Sequence, residues 1–205
     1  MIKAIFFDFD LTLVNSTAGA KATYYGLWKK AGLKTSKKGY QQYVGSRFKD
    51  VVEDLHEKSG MSKKKIIDEF NKLYIKKIPK MKFLAKGLFY KLKNVKKMII
   101  TNNNRTAVEA ACKYFGIKYD KLIADDNMAK DERKHDAILK NIKKLGIKKS
   151  EAMYVGDHVN DVKEAYKAGI KSVIVPTGVF KKLYIKRYNP DFMISSLKKL
   201  PKLIK

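Results

Sequence analysis

Two acidic residues follow an apolar run near the N-terminus and are the first side chains whose type and spacing suit chemistry. Asp8 and Asp10 stand two positions apart at the end of the run Ala4–Phe9. On a continued strand, residues i and i+2 point to the same face, so the two carboxylates would lie side by side. Like charges held this close need a cation or a shared proton. Alone, such a pair is better explained by a solvated turn, so the rest of the chain must decide.

Polar side chains end two further apolar runs in the same way. Thr101 and Asn102 end one run, Asp157 ends another, and Asp161 follows four residues later. Ligands of open α/β sheets bind outside the carboxyl ends of the strands. These side chains are therefore expected to converge with Asp8 on one small basin.

Short apolar segments and amphipathic segments alternate along the chain and indicate the elements that position these residues. The apolar segments, typical of strands, are residues 4–9, 97–101, 121–124, 152–155, 172–175 and 192–194. The amphipathic segments, typical of helices and each followed by glycine, are residues 105–115, 135–145 and 160–168. This alternation predicts an α/β fold with a doubly wound, mainly parallel, Rossmann-like sheet.

One insertion interrupts the alternation. Residues 15–80 contain no convincing strand but carry three helical runs, at 19–31, 48–58 and 63–75. We therefore expect an α/β core formed by residues 1–14 and 81–205, and a small α-helical cap domain formed by residues 15–80, here called the cap.

The charge balance is strongly basic. Lys and Arg number 46 against 20 Asp and Glu, which gives a formal charge of +26 and a pI near 9.9. Non-specific, salt-sensitive binding to polyanions is expected. A specific nucleic-acid partner is not, because the lysines are scattered and no zinc-finger, RNP or KH motif occurs. Cys112 is the only cysteine, which excludes an internal disulfide and a cysteine zinc site.

The chain contains no apolar run of the roughly 20 residues that a membrane span requires. Its N-terminus lacks the pattern of a secretory signal. A cytoplasmic location and the absence of a membrane partner are therefore the expectations, with a monomer or a homodimer as the oligomeric state.

The order of these motifs resembles the haloacid dehalogenase-like hydrolase superfamily, and in particular its phosphoglycolate phosphatase and β-phosphoglucomutase branch with a helical cap after the first strand. The motifs are Asp8-Phe9-Asp10, Thr101-Asn102, a lysine, and Gly156-Asp157 with Asp161. The resemblance implies a phosphoric monoester hydrolase in which Asp8 is the nucleophile and Asp10 the general acid and base. It further implies that Thr101 binds the transferring phosphoryl group, with Asn102 beside it in the substrate site.

Two lysines compete for the role of neutralising the phosphoryl charge. Lys134 starts a Lys-x-x-Ala-Ile-Leu segment and lies 23 residues before Asp157, a position that matches the family lysine. Lys130 is the alternative, and the Lys-Pro signature of the phosphoglycolate phosphatase branch is absent.

The same resemblance implies a Mg²⁺ cofactor, and the oxygen-only donors agree with it. The expected ligands are the carboxylates of Asp8 and Asp157 and the backbone carbonyl of Asp10. Asp161 is placed just outside them, holding a metal-bound water or Lys134.

In the cap, the segment Val44–Arg47 precedes a helical run and resembles the substrate-contacting loop of the same branch. Arg47 is therefore predicted to reach the substrate. The presence of Asp10 favours phosphoryl transfer over dehalogenation, because a halide leaving group needs no proton.

These observations predict a Mg²⁺-dependent phosphatase of a small phosphorylated metabolite that works through an aspartyl-phosphate. Two alternatives stay open at this point. A phosphomutase of the β-phosphoglucomutase type would return the phosphoryl group to a sugar, and a basic nucleic-acid-binding protein without catalysis would use the charge alone.

Overall fold

The computed structural model describes residues 1–204. Its strands, in chain order, are β1 (Ala4–Phe7), β2 (Val14–Asn15), β3 (Lys82–Phe83), β4 (Lys96–Ile100), β5 (Lys121–Ile123), β6 (Ala152–Gly156), β7 (Lys171–Ile174) and β8 (Phe192–Met193). Its helices are α1 (Thr17–Lys30), α2 (Lys37–Tyr43), α3 (Phe48–Ser59), α4 (Lys63–Lys77), α5 (Arg105–Phe115), α6 (Lys134–Leu145), α7 (Val159–Ala168) and α8 (Lys182–Lys186).

Six of the strands form a parallel sheet in the order β5-β4-β1-β6-β7-β8. The chain leaves β1 toward one edge through β4 and β5, and then crosses to the other side of β1 to form β6, β7 and β8. The predicted doubly wound, parallel α/β fold is confirmed. β1 therefore lies at the point where the strand order reverses, which is where folds of this kind bind ligands.

The centre of the sheet is buried on both faces. All four residues of β1 are inaccessible to solvent, and so are Ile99 and Ile100 of β4. A strand covered on both faces has no polar face, which explains why β1 reads as a continuous apolar run rather than an alternating one.

The chain turns sharply after β1. The strand ends at Phe7 and not at Phe9, because the amides of Leu13 and Val14 both donate to the carbonyl of Phe9, at 3.0 and 3.1 Å. Leu11 takes a φ of 59° in this turn. Asp10 thus sits in the turn, and the expectation that it continues a strand with Asp8 is wrong.

A short antiparallel ribbon ties together the two ends of the helical insertion. β2 pairs with β3, with Val14 opposite Phe83 and Asn15 opposite Lys82. Sequence reasoning missed this ribbon, because two-residue strands carry no periodic pattern. The domain boundaries after residues 14 and 80 stay a prediction.

Helices α1, α3 and α4 agree with the three predicted helical runs to within two residues at most ends. Helix α2 was not predicted; none of its residues is buried, so its sequence shows no apolar stripe. One apolar cluster contains side chains from both parts of the molecule, among them Leu27 and Phe70 of the cap and Phe7 and Val108 of the core. The cap is thus packed onto one face of the sheet and its helices.

Within residues 1–204, no helix is both long and apolar enough to cross a bilayer. Cys112 is buried in the core, where burial and the negative charge of Glu109 raise the pKa of its thiol to about 12. It packs there as a small apolar side chain.

Candidate active site

The eight residues predicted to form a site all line one cavity between the sheet and the cap. They are Asp8, Asp10, Arg47, Thr101, Asn102, Lys134, Asp157 and Asp161. The cavity has a volume of about 350 Å³. The strand ends therefore converge on one basin, as the sequence predicts.

Asp8 stands at the carboxyl end of the central strand. Its amide donates to the carbonyl of Val155 at 2.8 Å, which continues the β1–β6 ladder by one residue. Its carboxylate accepts a hydrogen bond from Lys134 Nζ at 2.8 Å, and both side chains are buried. The ladder thus fixes the backbone of Asp8 while its side chain faces the cavity.

Three buried carboxylates meet at this point. Asp8, Asp157 and Asp161 each offer an oxygen within 4.8 Å of the other two. Lys134 bridges two of them, since its Nζ also lies 3.5 Å from Asp161 Oδ1. One ammonium against three carboxylates leaves an excess of two negative charges when all are ionised.

The protonation equilibria reflect this excess. Burial raises the pKa of Asp8 to about 7, and the charges of Asp161 and Asp10 act in the same direction, against Lys134. Burial, together with Asp161 and Asp8, raises the pKa of Asp157 well above its usual range. Burial lowers the pKa of Lys134, but the charges of Asp8 and Asp161 outweigh it and the net pKa is raised. The lysine is therefore a fixed cation, and the carboxylates still lack positive charge.

A divalent cation bound by oxygen ligands fits this arrangement. Asp157 is oriented by the hydroxyl of Thr12, which donates to its Oδ1 at 3.0 Å. Its other oxygen faces Gly178, where a Cβ would lie 1.8 Å from Oδ2. Carboxylate donors without histidine or cysteine suit Mg²⁺. The charge and the donor set agree with the predicted cofactor, and Mg²⁺ itself stays a prediction.

Asp161 differs from the other two carboxylates because both of its oxygens already accept hydrogen bonds. Oδ2 accepts from the backbone amides of Asp157 and His158, at 3.0 and 2.9 Å. Oδ1 accepts from the hydroxyl of Tyr154 at 2.9 Å, and the same hydroxyl accepts from Lys134 Nζ. Asp161 thus positions the Asp157 loop and the lysine together, which suits the supporting role predicted for it.

Asp10 lies in the same cavity but outside the cluster of three. Its carboxylate accepts from Ser16 Oγ at 2.6 Å and from Asn103 Nδ2 at 3.0 Å. Burial raises its pKa, although both hydrogen bonds oppose the shift. A raised pKa on a carboxyl group that faces the cavity suits a proton donor.

Thr101 and Asn102 are neighbours after β4 and make different contacts. The Thr101 hydroxyl accepts from the amide of Asn103 at 3.1 Å, which fixes the loop after β4. Asn102, predicted to contact substrate, donates from Nδ2 to the carbonyl of Gly45 at 3.1 Å, and its own carbonyl accepts from the amide of Phe48 at 2.8 Å. Asn102 therefore joins the core to the cap.

Arg47 is engaged with the core in this structure. Its Nε lies 2.6 Å from Asp125 Oδ1, and its two remaining nitrogens donate to the carbonyls of Lys130 and Ala129, at 2.6 and 3.2 Å. Asp125 is fully buried, and its second oxygen accepts from the amide of Lys49 at 2.7 Å. All three guanidinium nitrogens thus already have acceptors. The substrate contact of Arg47 stays a prediction.

Lys130 contributes its carbonyl rather than its side chain to this region, and the side chain is exposed. Sequence reasoning missed several supporting residues of the site, namely Ser16, Asn103, Asp125 and Tyr154. Asn103 is the central one of three consecutive asparagines, so composition alone could not single it out.

The family model described as haloacid dehalogenase-like hydrolase matches residues 5–175. The chain belongs to this family. The match spans both the sheet and the cap, and it confirms the predicted family and the expectation of an enzyme that hydrolyses phosphoric esters. The whole order of motifs, from Asp8 to Asp161, lies within the matched range.

Two relatives match along nearly the whole chain. A PpaX protein of Caldanaerobacter subterraneus subsp. tengcongensis is 25% identical over 209 residues, which cover 100% of this chain and 95% of the relative. Pyrophosphatase PpaX of Oceanobacillus iheyensis is 21% identical over 204 residues, covering 96% of this chain and 94% of the relative.

The crystal structure of a predicted phosphoglycolate phosphatase from Haemophilus somnus superposes with a TM-score of 0.79. It is 16% identical and covers 100% of this chain and 98% of that one. At this identity the likeness establishes a shared fold.

Proposed function

We propose that this protein is a Mg²⁺-dependent phosphatase that hydrolyses a small phosphomonoester through an aspartyl-phosphate on Asp8. The observation that carries the proposal is the buried pair of Asp8 and Lys134, 2.8 Å apart at the carboxyl end of the central strand. Asp157 and Asp10 stand in the same cavity. A nucleophile, a fixed cation and a proton donor thus share one site.

The first half of the reaction transfers the phosphoryl group to the protein. An oxygen of Asp8 forms a bond to phosphorus as the bond from phosphorus to the leaving oxygen breaks. Lys134 stabilises the negative charge of the equatorial oxygens, and the hydroxyl of Thr101 hydrogen-bonds the same group. Asp10, whose pKa is raised by burial, gives its proton to the leaving oxygen.

The second half hydrolyses the aspartyl-phosphate. Asp10, now ionised, takes a proton from water as the water oxygen bonds to phosphorus, and the bond to Asp8 breaks. Inorganic phosphate leaves, the Asp8 carboxylate is restored and Asp10 is protonated again. Ser16 and Asn103 keep the Asp10 carboxylate in place through both transfers.

Asp8, Asp157 and the carbonyl of Asp10 would hold the Mg²⁺ ion. When bound, the ion supplies the positive charge that the carboxylate cluster lacks, which keeps Asp8 ionised and offsets the repulsion between Asp8 and a phosphate dianion. Asp161 and Thr12 hold Asp157 in the orientation that this requires.

The nucleophile is tested by replacing Asp8→Asn. Phosphate release is expected to fall by at least about a thousandfold, because the amide cannot form an acyl phosphate. The variant is expected to fold, since the amide keeps the size of a side chain whose charge burial already disfavours. Asp131→Asn, an exposed carboxylate outside the cavity, is the matched control. Hydrolysis by Asp8→Asn within tenfold of the wild type would refute the assignment.

The metal is tested by chelation. Phosphate release is expected to vanish in EDTA and to return on adding excess Mg²⁺, because the carboxylate cluster then regains its missing charge. Full activity in the chelator would contradict the metal dependence while leaving the role of Asp8 open to its own test.

The names of the relatives make inorganic pyrophosphate a second candidate substrate. A phosphomutase remains the third possibility, since the same Asp8 chemistry serves both reactions. Steady release of inorganic phosphate separates hydrolysis from the mutase, which releases little. Pyrophosphate and a panel of phosphomonoesters, each with Mg²⁺, separate the two hydrolases.

The formal charge of +26 leaves non-specific polyanion binding as a further prediction. Filter binding to nucleic acid across a salt series is expected to show affinity that falls steeply with salt. Tight, sequence-selective binding at physiological salt would favour the nucleic-acid alternative instead. The cytoplasmic location and the monomeric or homodimeric state also stay predictions.

A further inference from the structure

The cap side of the cavity is formed by aromatic rings. Six of them line the cavity. One is Phe48, whose ring centroid lies 4.6 Å from that of Phe70. The other five are called here the aromatic wall: Tyr24, Tyr40, Tyr43, Phe70 and Tyr74. Tyr24 stands at the centre, with ring centroids 5.9 Å from Tyr40, 5.4 Å from Tyr43 and 5.6 Å from Phe70. Phe70 and Tyr74 stack at 5.5 Å. The wall is thus one continuous surface rather than scattered rings.

The wall faces the carboxyl group that is proposed to protonate the leaving oxygen. Asp10 and all five residues of the wall line the same cavity. Among residues 1–204 the fully buried hydroxyl of Tyr74 has no hydrogen-bond partner. A leaving group that takes its proton from Asp10 would then lie against these rings.

The basic side chains of the cap next to the cavity are already in use. Arg47 is paired with Asp125, and Lys49 Nζ donates to the carbonyl of Met128. Each cation thus already has an acceptor in the core.

The other charged residues of the lining, outside the reacting groups, are mostly acidic. They are one basic residue, Arg133, and three acidic residues, Asp50, Glu132 and Glu164. Glu132 is paired with Lys140, and Glu164 with His135. These lining residues carry three carboxylates against one guanidinium, so they disfavour an anionic leaving group such as phosphate from pyrophosphate or glycolate from phosphoglycolate.

We propose that the preferred substrate is a phosphomonoester whose leaving alcohol is uncharged and carries an aromatic ring that stacks on the aromatic wall. The inference rests on the proposed phosphatase function and adds the class of substrate to it. A nucleoside 5′-monophosphate and a simple benzyl ester share this chemistry. The volume of about 350 Å³ lies at the small end of ligand sites, which span roughly 300–1,000 Å³, and suits one ring-bearing alcohol.

The test compares substrates that differ only in the relevant part. Adenosine 5′-monophosphate and ribose 5-phosphate share the leaving oxygen and differ by the base, so their ratio of kcat/KM measures stacking. We expect a ratio of about ten, the effect of one stacked base on an aromatic side chain. Benzyl phosphate, compared with adenosine 5′-monophosphate, distinguishes the benzyl ester from the nucleoside source.

Inorganic pyrophosphate and phosphoglycolate complete the panel. A kcat/KM for either that equals or exceeds that of both ring-bearing esters overturns the inference, and so does a ratio of one between the nucleotide and ribose 5-phosphate. Absence of phosphate release from every member of the panel overturns the proposed function instead, so the two failures are distinguishable.

Variants of Tyr40 locate the effect on the wall. Tyr40→Ala and Tyr40→Leu are expected to lower the kcat/KM ratio of nucleotide to ribose 5-phosphate about tenfold, and Tyr40→Phe is expected to keep it. Tyr40 is only half-buried, and leucine retains apolar volume, so loss of folding is not expected. Tyr166→Ala, on the exposed surface of the core, is the control. An equal loss on both substrates would assign Tyr40 a purely structural role and overturn the inference.

Discussion

The core half of the cavity is charged and the cap half is aromatic, although both line the same space. In the core half, side chains at strand ends form ion pairs and hydrogen bonds with each other, as Lys134 does with Asp8. In the cap half, the rings of the aromatic wall pack on each other, and Arg47 turns away to Asp125. Under the proposed function, the sheet carries the reacting groups and the helical insertion selects the substrate.

Among the changes to the core half, Lys134→Met is expected to have the largest effect on activity. Removal of the ammonium leaves three close carboxylates with no fixed cation, and kcat/KM is expected to fall by about 10²–10³, the loss typical of one charge-stabilising donor. Lys130→Met is the matched control, because that side chain is exposed. Steady-state kinetics on both variants decide between the two lysines. A larger loss in Lys130→Met would reverse the assignment.

Gly178→Ala sharpens the comparison within the core half. A Cβ at this position would lie 1.8 Å from Asp157 Oδ2, so either the loop or the carboxylate must move. The apparent affinity for Mg²⁺ is expected to fall by about 10–100-fold, as when a support of a metal ligand is lost. Titration of activity against Mg²⁺ measures it. Gly26→Ala, which meets only the flexible side chain of Leu73, serves as control. An unchanged Mg²⁺ titration would contradict a role of this close contact in Mg²⁺ binding.

Asp125→Ala and Arg47→Met test the cap half. Breaking the buried pair is expected to lower the free energy of unfolding by about 3 kcal/mol, because one charge stays buried without its partner. KM is expected to rise by about tenfold as the Lys49 amide and Asp125 no longer hold the start of α3 to the core. Urea unfolding and steady-state kinetics give both numbers.

The same two variants also test the substrate contact predicted for Arg47. If Arg47 acts only through Asp125, the two single variants and the double variant lose similar activity. If Arg47 also contacts the substrate, Arg47→Met loses much more than Asp125→Ala. Asp126→Ala, at the neighbouring exposed carboxylate, is expected to change stability by less than about 1 kcal/mol.

The sheet could be predicted from the sequence because each strand is a short apolar run with a polar end. The predicted strand at 121–124 and the observed β5 differ by one residue, and the predicted helix at 105–115 is α5 itself. The same strand ends placed Asp8, Thr101 and Asp157 near each other, since parallel strands end at one edge.

The remaining contacts depend on residues far apart in the chain, which no local pattern records. Arg47 and Asp125 are separated by 78 positions, and Asp10 and Asn103 by 93. Helix α2 has no buried side chain and hence no periodicity to detect. Local chemistry thus predicted the reaction centre better than the surfaces that enclose it.

The ribbon of β2 and β3 places the entry and the exit of the cap side by side. Two separate linkers would let the cap rotate about each of them independently. Two strands joined by backbone hydrogen bonds bend together. An opening of the cap would then bend both strands of the ribbon together, and the rings that the cap carries would return to the same position beside Asp10 on closing.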